Sequence, residues 1–344
     1  MRLRLIQVLA WSLGIADKFL FHFENAVFMV LFLVMLILTA LNLFLVGNIV
    51  VSGRNPDKFR EALTYAFVPN YESVVDFSGS VLGFSVVRPG LIKKSDPQAF
   101  PNISAKSYVV ADAASNKILE SKNEQMKLPP ASTTKLVTAL VAEDIYESSS
   151  SLTMTADCSN LDTQSIGLFV DETYTYKDLL SSMLIFSAGD SACLISKSKV
   201  SYSDFISRMN KKVSELGLKN TNFVNSIGLD DANDSQHSTA YDLYVIARAA
   251  KASDTLSHLF SIKEYSFYPA SGKGFKYIFT NTNRLLFEVD GTVGLKTGKT
   301  QNAGEVLVYE YKRDSVDLII VVMGSNDRFS DTKKLLEWTL ASYK

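Results

Sequence analysis

From Ile103 onward the chain carries strand patterns at both ends and helical patterns between them, and that order leaves few folds open. Ser107 to Ala111 reads as a strand, Ala114-Ser115-Asn116-Lys117 as a turn, and Ile118-Leu119-Glu120 as its return. At the far end, Glu305 to Tyr311 and Val316 to Met323 alternate or run apolar around Arg313-Asp314-Ser315, which predicts a hairpin. Between them the apolar period is helical. It shows in Leu136, Val137, Leu140 and Val141, again in Leu179, Leu180, Met183 and Leu184, and again in Phe205, Ile206, Met209, Val213 and Leu216. Ser238 or Thr239 caps a further helix through Leu243, Ile246 and Ala247, and Ser330 to Tyr343 closes the chain with Leu335, Leu336, Trp338 and Leu340. The pattern predicts an α+β fold, one antiparallel sheet assembled from both ends of the domain with helices packed on it and between.

Upstream the constraint is different. Ala26 to Val46 is apolar apart from Thr39 and Asn42, and at about 1.5 Å rise per residue such a helix crosses a hydrocarbon core of roughly 30 Å. A cleavable signal has a shorter apolar core of about 7–15 residues and an Ala-x-Ala-like site, of which Leu45-Val46-Gly47-Asn48 is a poor version, so an uncleaved transmembrane anchor is expected over 26–46. Residues 1–25 become a cytoplasmic or interfacial segment, 47–102 a stem punctuated by Pro89, Pro97 and Pro101, and 103–344 the folded domain. Val74 to Val87, with its alternating Val and Phe residues, is equally compatible with strands added to that domain. Arg2, Arg4 and Lys18 before the span, against Arg54, Lys58 and Arg60 after it, leave orientation nearly tied on charge.

Composition excludes more than it selects. With 47% hydrophobic residues and a net charge of −1, the chain has no electrostatic footprint for nucleic acid. His22, His237 and His258 are far apart and no paired-cysteine spacing occurs, so no metal and no cofactor are expected. Gly298-Lys299-Thr300 ends like a phosphate-binding loop, but the first glycine of that motif would fall on Val293. Cys193 lies in an apolar helical run four residues after Gly189 and is expected as a buried thiol rather than a disulfide partner of Cys158.

Three stations carry the chemistry. Pro129 and Pro130 stop the chain just before Ser132, which is expected to open a buried helix with Lys135 on the same face. A serine hydroxyl is a poor nucleophile until a nearby base takes its proton, and a lysine three residues on can reach it. For Lys135 to act as base it must be neutral part of the time, through desolvation or a neighbouring cation, for which Lys296 is the candidate. Ser187 sits in a helix break, and Lys296-Thr297-Gly298 on a strand edge would offer charge, a hydroxyl and a close backbone approach to a substrate carboxylate.

These residues and their surroundings resemble the low-molecular-mass penicillin-binding proteins, the serine-type D-alanyl-D-alanine carboxypeptidases. The resemblance runs through Pro130-Ala131-Ser132-Thr133-Thr134-Lys135-Leu136, Phe223-Val224-Asn225-Ser226-Ile227-Gly228-Leu229-Asp230 and His237-Ser238-Thr239-Ala240-Tyr241-Asp242-Leu243. It continues through Asp290-Gly291, Gly294-Leu295-Lys296-Thr297-Gly298, Ala303-Gly304 and Arg328-Phe329-Ser330-Asp331-Thr332-Lys333-Lys334-Leu335-Leu336. It implies a penicillin-binding/β-lactamase-like transpeptidase domain that cuts the terminal D-Ala from peptidoglycan pentapeptides and is acylated by β-lactams. Ser132 would be the nucleophile, Lys135 the general base, Ser187 a proton relay to the leaving amine, and Lys296 and Thr297 the carboxylate holders beside Gly298. The N–H groups of Ser132 and Lys299 would form the oxyanion hole.

One position departs from the family's Ser-x-Asn motif, since Gly189 stands where asparagine is expected, leaving an amide missing and a space that water could fill. The chain also ends after the last helix, without the β-rich second domain and C-terminal anchor of many relatives, so the N-terminal span would be the tether. Cell-wall chemistry sets the N-terminus inside a bacterial cell membrane crossed once, with the catalytic domain outside. The alternatives are a non-catalytic peptidoglycan-binding or scaffold protein, motivated by Gly189, and a β-lactamase-like hydrolase, which would need a carboxylate to activate water.

Overall fold

The computed structural model describes residues 90–344 except position 234. The anchor expected over 26–46, and the segments 1–25 and 47–89 beside it, lie outside the described residues; among those described, no helix is long and apolar enough to cross a membrane. Along the chain, β1 (Ser107–Asp112) and β2 (Lys117–Lys122) precede a 3-10 turn (Ala131–Thr134) and α1 (Lys135–Glu143). Then come β3 (Ser151–Thr153), α2 (Ala156–Ser159), β4 (Thr173–Thr175), α3 (Tyr176–Ile185), α4 (Gly189–Lys197), α5 (Tyr202–Glu215), α6 (Ala240–Lys251) and α7 (Asp254–Phe260). The chain closes with β5 (Glu264–Phe267), β6 (Tyr277–Thr280), α8 (Leu285–Glu288), β7 (Thr292–Thr300), β8 (Gly304–Arg313), β9 (Val316–Ser325) and α9 (Arg328–Ser342).

The expected α+β sheet forms, antiparallel throughout, in the order β2-β1-β9-β8-β7. Its two ends of chain meet in the middle, where β1 pairs with β9 and Val110 stands opposite Ile320. Asp314, at φ 54°, turns the β8–β9 hairpin, and β7 is left on the outer edge. Both faces are covered. Val109, Ile319 and Val321 pack into the large core with Leu136 and Val137 of α1, while their neighbours Val110, Ile320 and Val322 pack with Phe329, Leu335 and Leu336 of α9. Because successive strand residues point to opposite faces, burial on both sides explains why β9 is a continuous apolar run. Each such side chain, fully buried, stabilises the fold by roughly 1.5–3 kcal/mol.

Helix starts follow their caps. Thr239 rather than Ser238 caps α6, accepting from the Asp242 N–H at 3.0 Å. Asp327 caps α9 by accepting from Phe329 and Ser330 at 3.1 and 3.0 Å. The last residues of the expected stem lie on the domain: Leu91 N–H donates to Asp112 Oδ2 at 2.9 Å, Ile92 and Lys344 exchange main-chain bonds, and Phe100 meets Trp338 edge-on at 4.9 Å.

One expectation is corrected. Cys193 is buried, but as half of a disulfide with Cys158, their Cα atoms 5.6 Å apart. The bond exists because α2 lies against α4, a tertiary contact that spacing along the chain does not display.

Candidate active site

The placement of Ser132 starts with two prolines. After Pro129-Pro130, Ala131 takes a positive φ of 48° and the chain makes one 3-10 turn, with Pro130 O accepting from Thr133 Oγ1 at 2.7 Å. Ser132 therefore sits in that turn and α1 begins at Lys135, which refines the expected helix start without separating the pair. Lys135 Nζ donates to Ser132 Oγ at 2.9 Å and to the Ile227 carbonyl at 2.7 Å. Lys135 has no solvent exposure, and burial pushes its amine from 10.5 down to about 7, with the buried Asp190 carboxylate pulling it back up. A base poised near neutrality, in contact with the hydroxyl it must deprotonate, is what nucleophilic catalysis by serine requires.

The Ile227 carbonyl is itself aimed. Asn225 Oδ1 accepts from the N–H groups of Ile227, Gly228 and Leu229 at 3.2, 2.7 and 3.1 Å, folding residues 225–229 against the Ser132 turn. Gly228, at φ 90°, lies so close to Ala131 that a Cβ there would enter its carbonyl.

The edge strand β7 forms one side of the site. A Cβ on Gly298 would come within 3.0 Å of the Ser132 nitrogen, so glycine brings the strand's backbone against Ser132. Thr297 Oγ1 shares a 2.6 Å hydrogen bond with Thr282 Oγ1, and Arg328 Nη1 donates to Gly298 O at 2.7 Å. Lys296 is buried with its Nζ on the Thr297 carbonyl at 3.0 Å. Its amine is held well below the ordinary lysine value by burial first, then by the charges of Lys135 and Arg328. The expectation that Lys296 is the cation depressing Lys135 is corrected: burial lowers Lys135, and the charge effect runs the other way, from Lys135 onto Lys296. Lys299 points outward to Glu305 at 2.9 Å.

Ser187 lies across from β7 in the break between α3 and α4, buried and at φ 71°, a conformation that costs a non-glycine residue of order 1–3 kcal/mol. The space beside Gly189 is not left to water. A Cβ there would enter the methyl of Thr163, and the Gly189 N–H donates to Gln164 O at 2.7 Å. Ser132, Ser187, Thr297, Gly298 and Lys299 line one cleft of about 570 Å³, together with Thr163, Gln164, Thr282, Asp230 and Arg328. Lys135 and Lys296 lie behind its surface. Thr282, Arg328 and the 162–164 segment were not singled out from sequence; Arg328 stands in the closing stretch that carried the family resemblance, which is the signal that could have found it. Among the described residues no group of three or more His, Cys, Asp or Glu side chains could hold a metal ion.

Comparison with known proteins gives the same direction. Residues 93–327 match the family model described as D-alanyl-D-alanine carboxypeptidase. The chain is 28% identical over 267 residues to D-alanyl-D-alanine carboxypeptidase DacF of Bacillus subtilis, covering 74% of this chain and 68% of that protein. To DacD of Escherichia coli it is 32% identical, covering 69% of this chain and 63% of the relative. Among solved structures it resembles the D-alanyl-D-alanine carboxypeptidase from Mycobacterium tuberculosis, with TM-score 0.66, 27% identity, and 73% of this chain and 96% of that one covered. It also resembles the Streptomyces K15 DD-transpeptidase, with TM-score 0.67, 25% identity, and 71% and 100% covered.

Proposed function

The chain belongs to the D-alanyl-D-alanine carboxypeptidase family, and from that premise we propose that it removes the terminal D-Ala from peptidoglycan stem pentapeptides through an acyl-Ser132 intermediate. The observation that carries this reading is the 2.9 Å contact between Ser132 Oγ and a fully buried Lys135 whose amine titrates near 7. Neutral Lys135 takes the hydroxyl proton as Ser132 Oγ attacks the carbonyl of the penultimate D-Ala. The N–H groups of Ser132 and Lys299 hold the oxyanion, a contribution of about 3 kcal/mol per donor in other hydrolases. Collapse breaks the peptide bond, the proton reaches the leaving amine by way of Ser187, and D-Ala departs. Water then hydrolyses the ester and restores the serine.

Lys296 and Thr297 receive the terminal carboxylate. An arriving carboxylate favours the charged form of Lys296, opposing the burial that holds its amine below the ordinary lysine value. Penicillins, as acylating analogues, would label the same serine. The apolar run over 26–46 serves as an uncleaved anchor that holds the 103–344 domain on the outer side of a bacterial membrane. Of the two carboxylates on the cleft wall, Asp230 is engaged by Thr300 Oγ1 and the Asn302 N–H and Asp162 is exposed, so neither is poised to activate water as a β-lactamase-like reaction would need.

Release of D-Ala from diacetyl-Lys-D-Ala-D-Ala tests the proposal. The wild type should release it and Ser132→Ala should not. A wild type that binds the peptide yet releases none at any pH would leave only the scaffold reading.

A further inference from the structure

The cleft has one wall that can pair with a peptide backbone and one that needs a side chain to do so. β7 is the outer strand of the sheet, and Thr297, Gly298, Lys299 and Thr300 line the cleft along it, so a peptide laid there meets a strand edge with main-chain groups to offer. The peptide's other side faces residues 162–164. Nothing can project toward it from position 189, because the Thr163 methyl occupies the direction a Cβ would take.

Of the three residues on that wall, Thr163 packs its methyl on Gly189. Asp162 can only accept hydrogen bonds and repels a peptide that ends in a carboxylate. Gln164 is exposed on the cleft wall, and its amide can both donate to a peptide carbonyl and accept from a peptide N–H. Its backbone is held on both sides. Gln164 O accepts from the Gly189 N–H at 2.7 Å, and the N–H groups of Ile166, Gly167 and Leu168 all donate to Asp190 Oδ2, at 3.1, 2.9 and 3.2 Å. Upstream, the Cys158–Cys193 bond fastens the start of the same segment to α4. The amide is thus presented from a fixed main chain, which leaves only the Gln164 side chain to be ordered on binding.

We propose that Gln164 is the specificity-determining residue that receives the substrate's peptide group opposite β7, in the place a side chain at position 189 cannot reach. This rests on the carboxypeptidase reading above. The experiment uses the full-length protein, following D-Ala release from diacetyl-Lys-D-Ala-D-Ala and the rate of penicillin acylation. Gln164→Ala should lower kcat/KM for D-Ala release by about tenfold or more, with an unchanged melting temperature, because the side chain is exposed. Gln164→Glu, which keeps the acceptor and loses the donor, should fall similarly. Moving the amide back, as Thr163→Ala/Gln164→Ala/Gly189→Asn, should recover most of the loss.

A Gln164→Ala enzyme within about twofold of wild type overturns the proposal while leaving the carboxypeptidase reading intact. A relocated-amide variant that melts like the wild type but stays at the Gln164→Ala level overturns it as well. A wild type that neither releases D-Ala nor takes up penicillin sinks the carboxypeptidase reading itself, and this inference with it.

Discussion

The β7 wall of the cleft is a ladder strand paired with β8 from Thr292 to Thr300, whereas the wall facing it is a loop, residues 160–168, that belongs to no sheet. The strand wall is rigid because its main-chain groups on the β8 side are paired into a five-stranded sheet buried on both faces, while those on the outer edge stay open to the cleft. The loop wall owes its shape to one buried carboxylate, one disulfide and the absence of a side chain at Gly189. The Ser132–Lys135 pair, on which the proposed acid–base chemistry rests, lies against the strand. What the loop adds is position, so the two walls should fail differently: damage near the strand stops chemistry, and damage to the loop costs stability and substrate fit.

The largest effect that could break this division is at the proposed nucleophile. Ser132→Ala should lower D-Ala release by on the order of 10⁶-fold, as loss of the nucleophile does in other serine hydrolases, with stability barely altered. A residual rate of more than a few per cent would remove Ser132 from the chemistry.

Lys135→Met comes next, with an expected loss of about 10²–10⁴ in kcat/KM. Because burial brings the amine down to about 7, wild-type kcat/KM should rise with pH through that value and level above it, and the methionine variant should show no such step. Stability carries the same sign. The folded chain has released this proton above about 7 while the unfolded chain keeps it until 10.5, so over that window the unfolded state binds more protons and stability against urea should rise with pH. The methionine variant should flatten that rise, which urea titrations at several pH values would show.

On the loop side, reduction of Cys158–Cys193, or the double serine variant, should cost about 2–4 kcal/mol of stability while leaving the Ser132–Lys135 pair in place. Denaturant titration measures the first and penicillin acylation the second. Asp190→Asn should cost about 2 kcal/mol, since a buried charged acceptor holding Ile166, Gly167 and Leu168 is replaced by a neutral one. It sharpens the comparison in one more respect. Asp190 is the charge that raises Lys135, so its loss should move the midpoint of the pH profile downward; an upward shift would contradict the electrostatics described here.

The strand wall was legible in sequence and the loop wall mostly was not. Ser132 and Lys135 are three residues apart, and Lys296, Thr297 and Gly298 are consecutive, so their spacing is nearly their geometry. The sheet was legible for a similar reason: the runs at Ser107–Ala111 and Val316–Met323 carry their own apolar pattern even though they pair across most of the domain. The loop is stitched by contacts whose partners lie 22 to 24 residues apart, Asp190 with Leu168, Gly167 and Ile166, and by a cysteine pair 35 residues apart. Nothing in local periodicity encodes such pairs, so the sequence alone displays neither the Cys158–Cys193 bond nor the Thr163 methyl that fills the space beside Gly189. The β3–β4 and β5–β6 ladders are three and four residues long, too short for a period to emerge.

The central claim is that Ser132, activated by Lys135, is the atom that takes the acyl group. Incubation with benzylpenicillin followed by intact-mass measurement and peptide mapping tests it directly. The prediction is a single penicilloyl adduct on the peptide containing Ser132, formed faster as pH rises through about 7 and absent from Ser132→Ala. An adduct on another residue, or one that persists in the alanine variant, would contradict it.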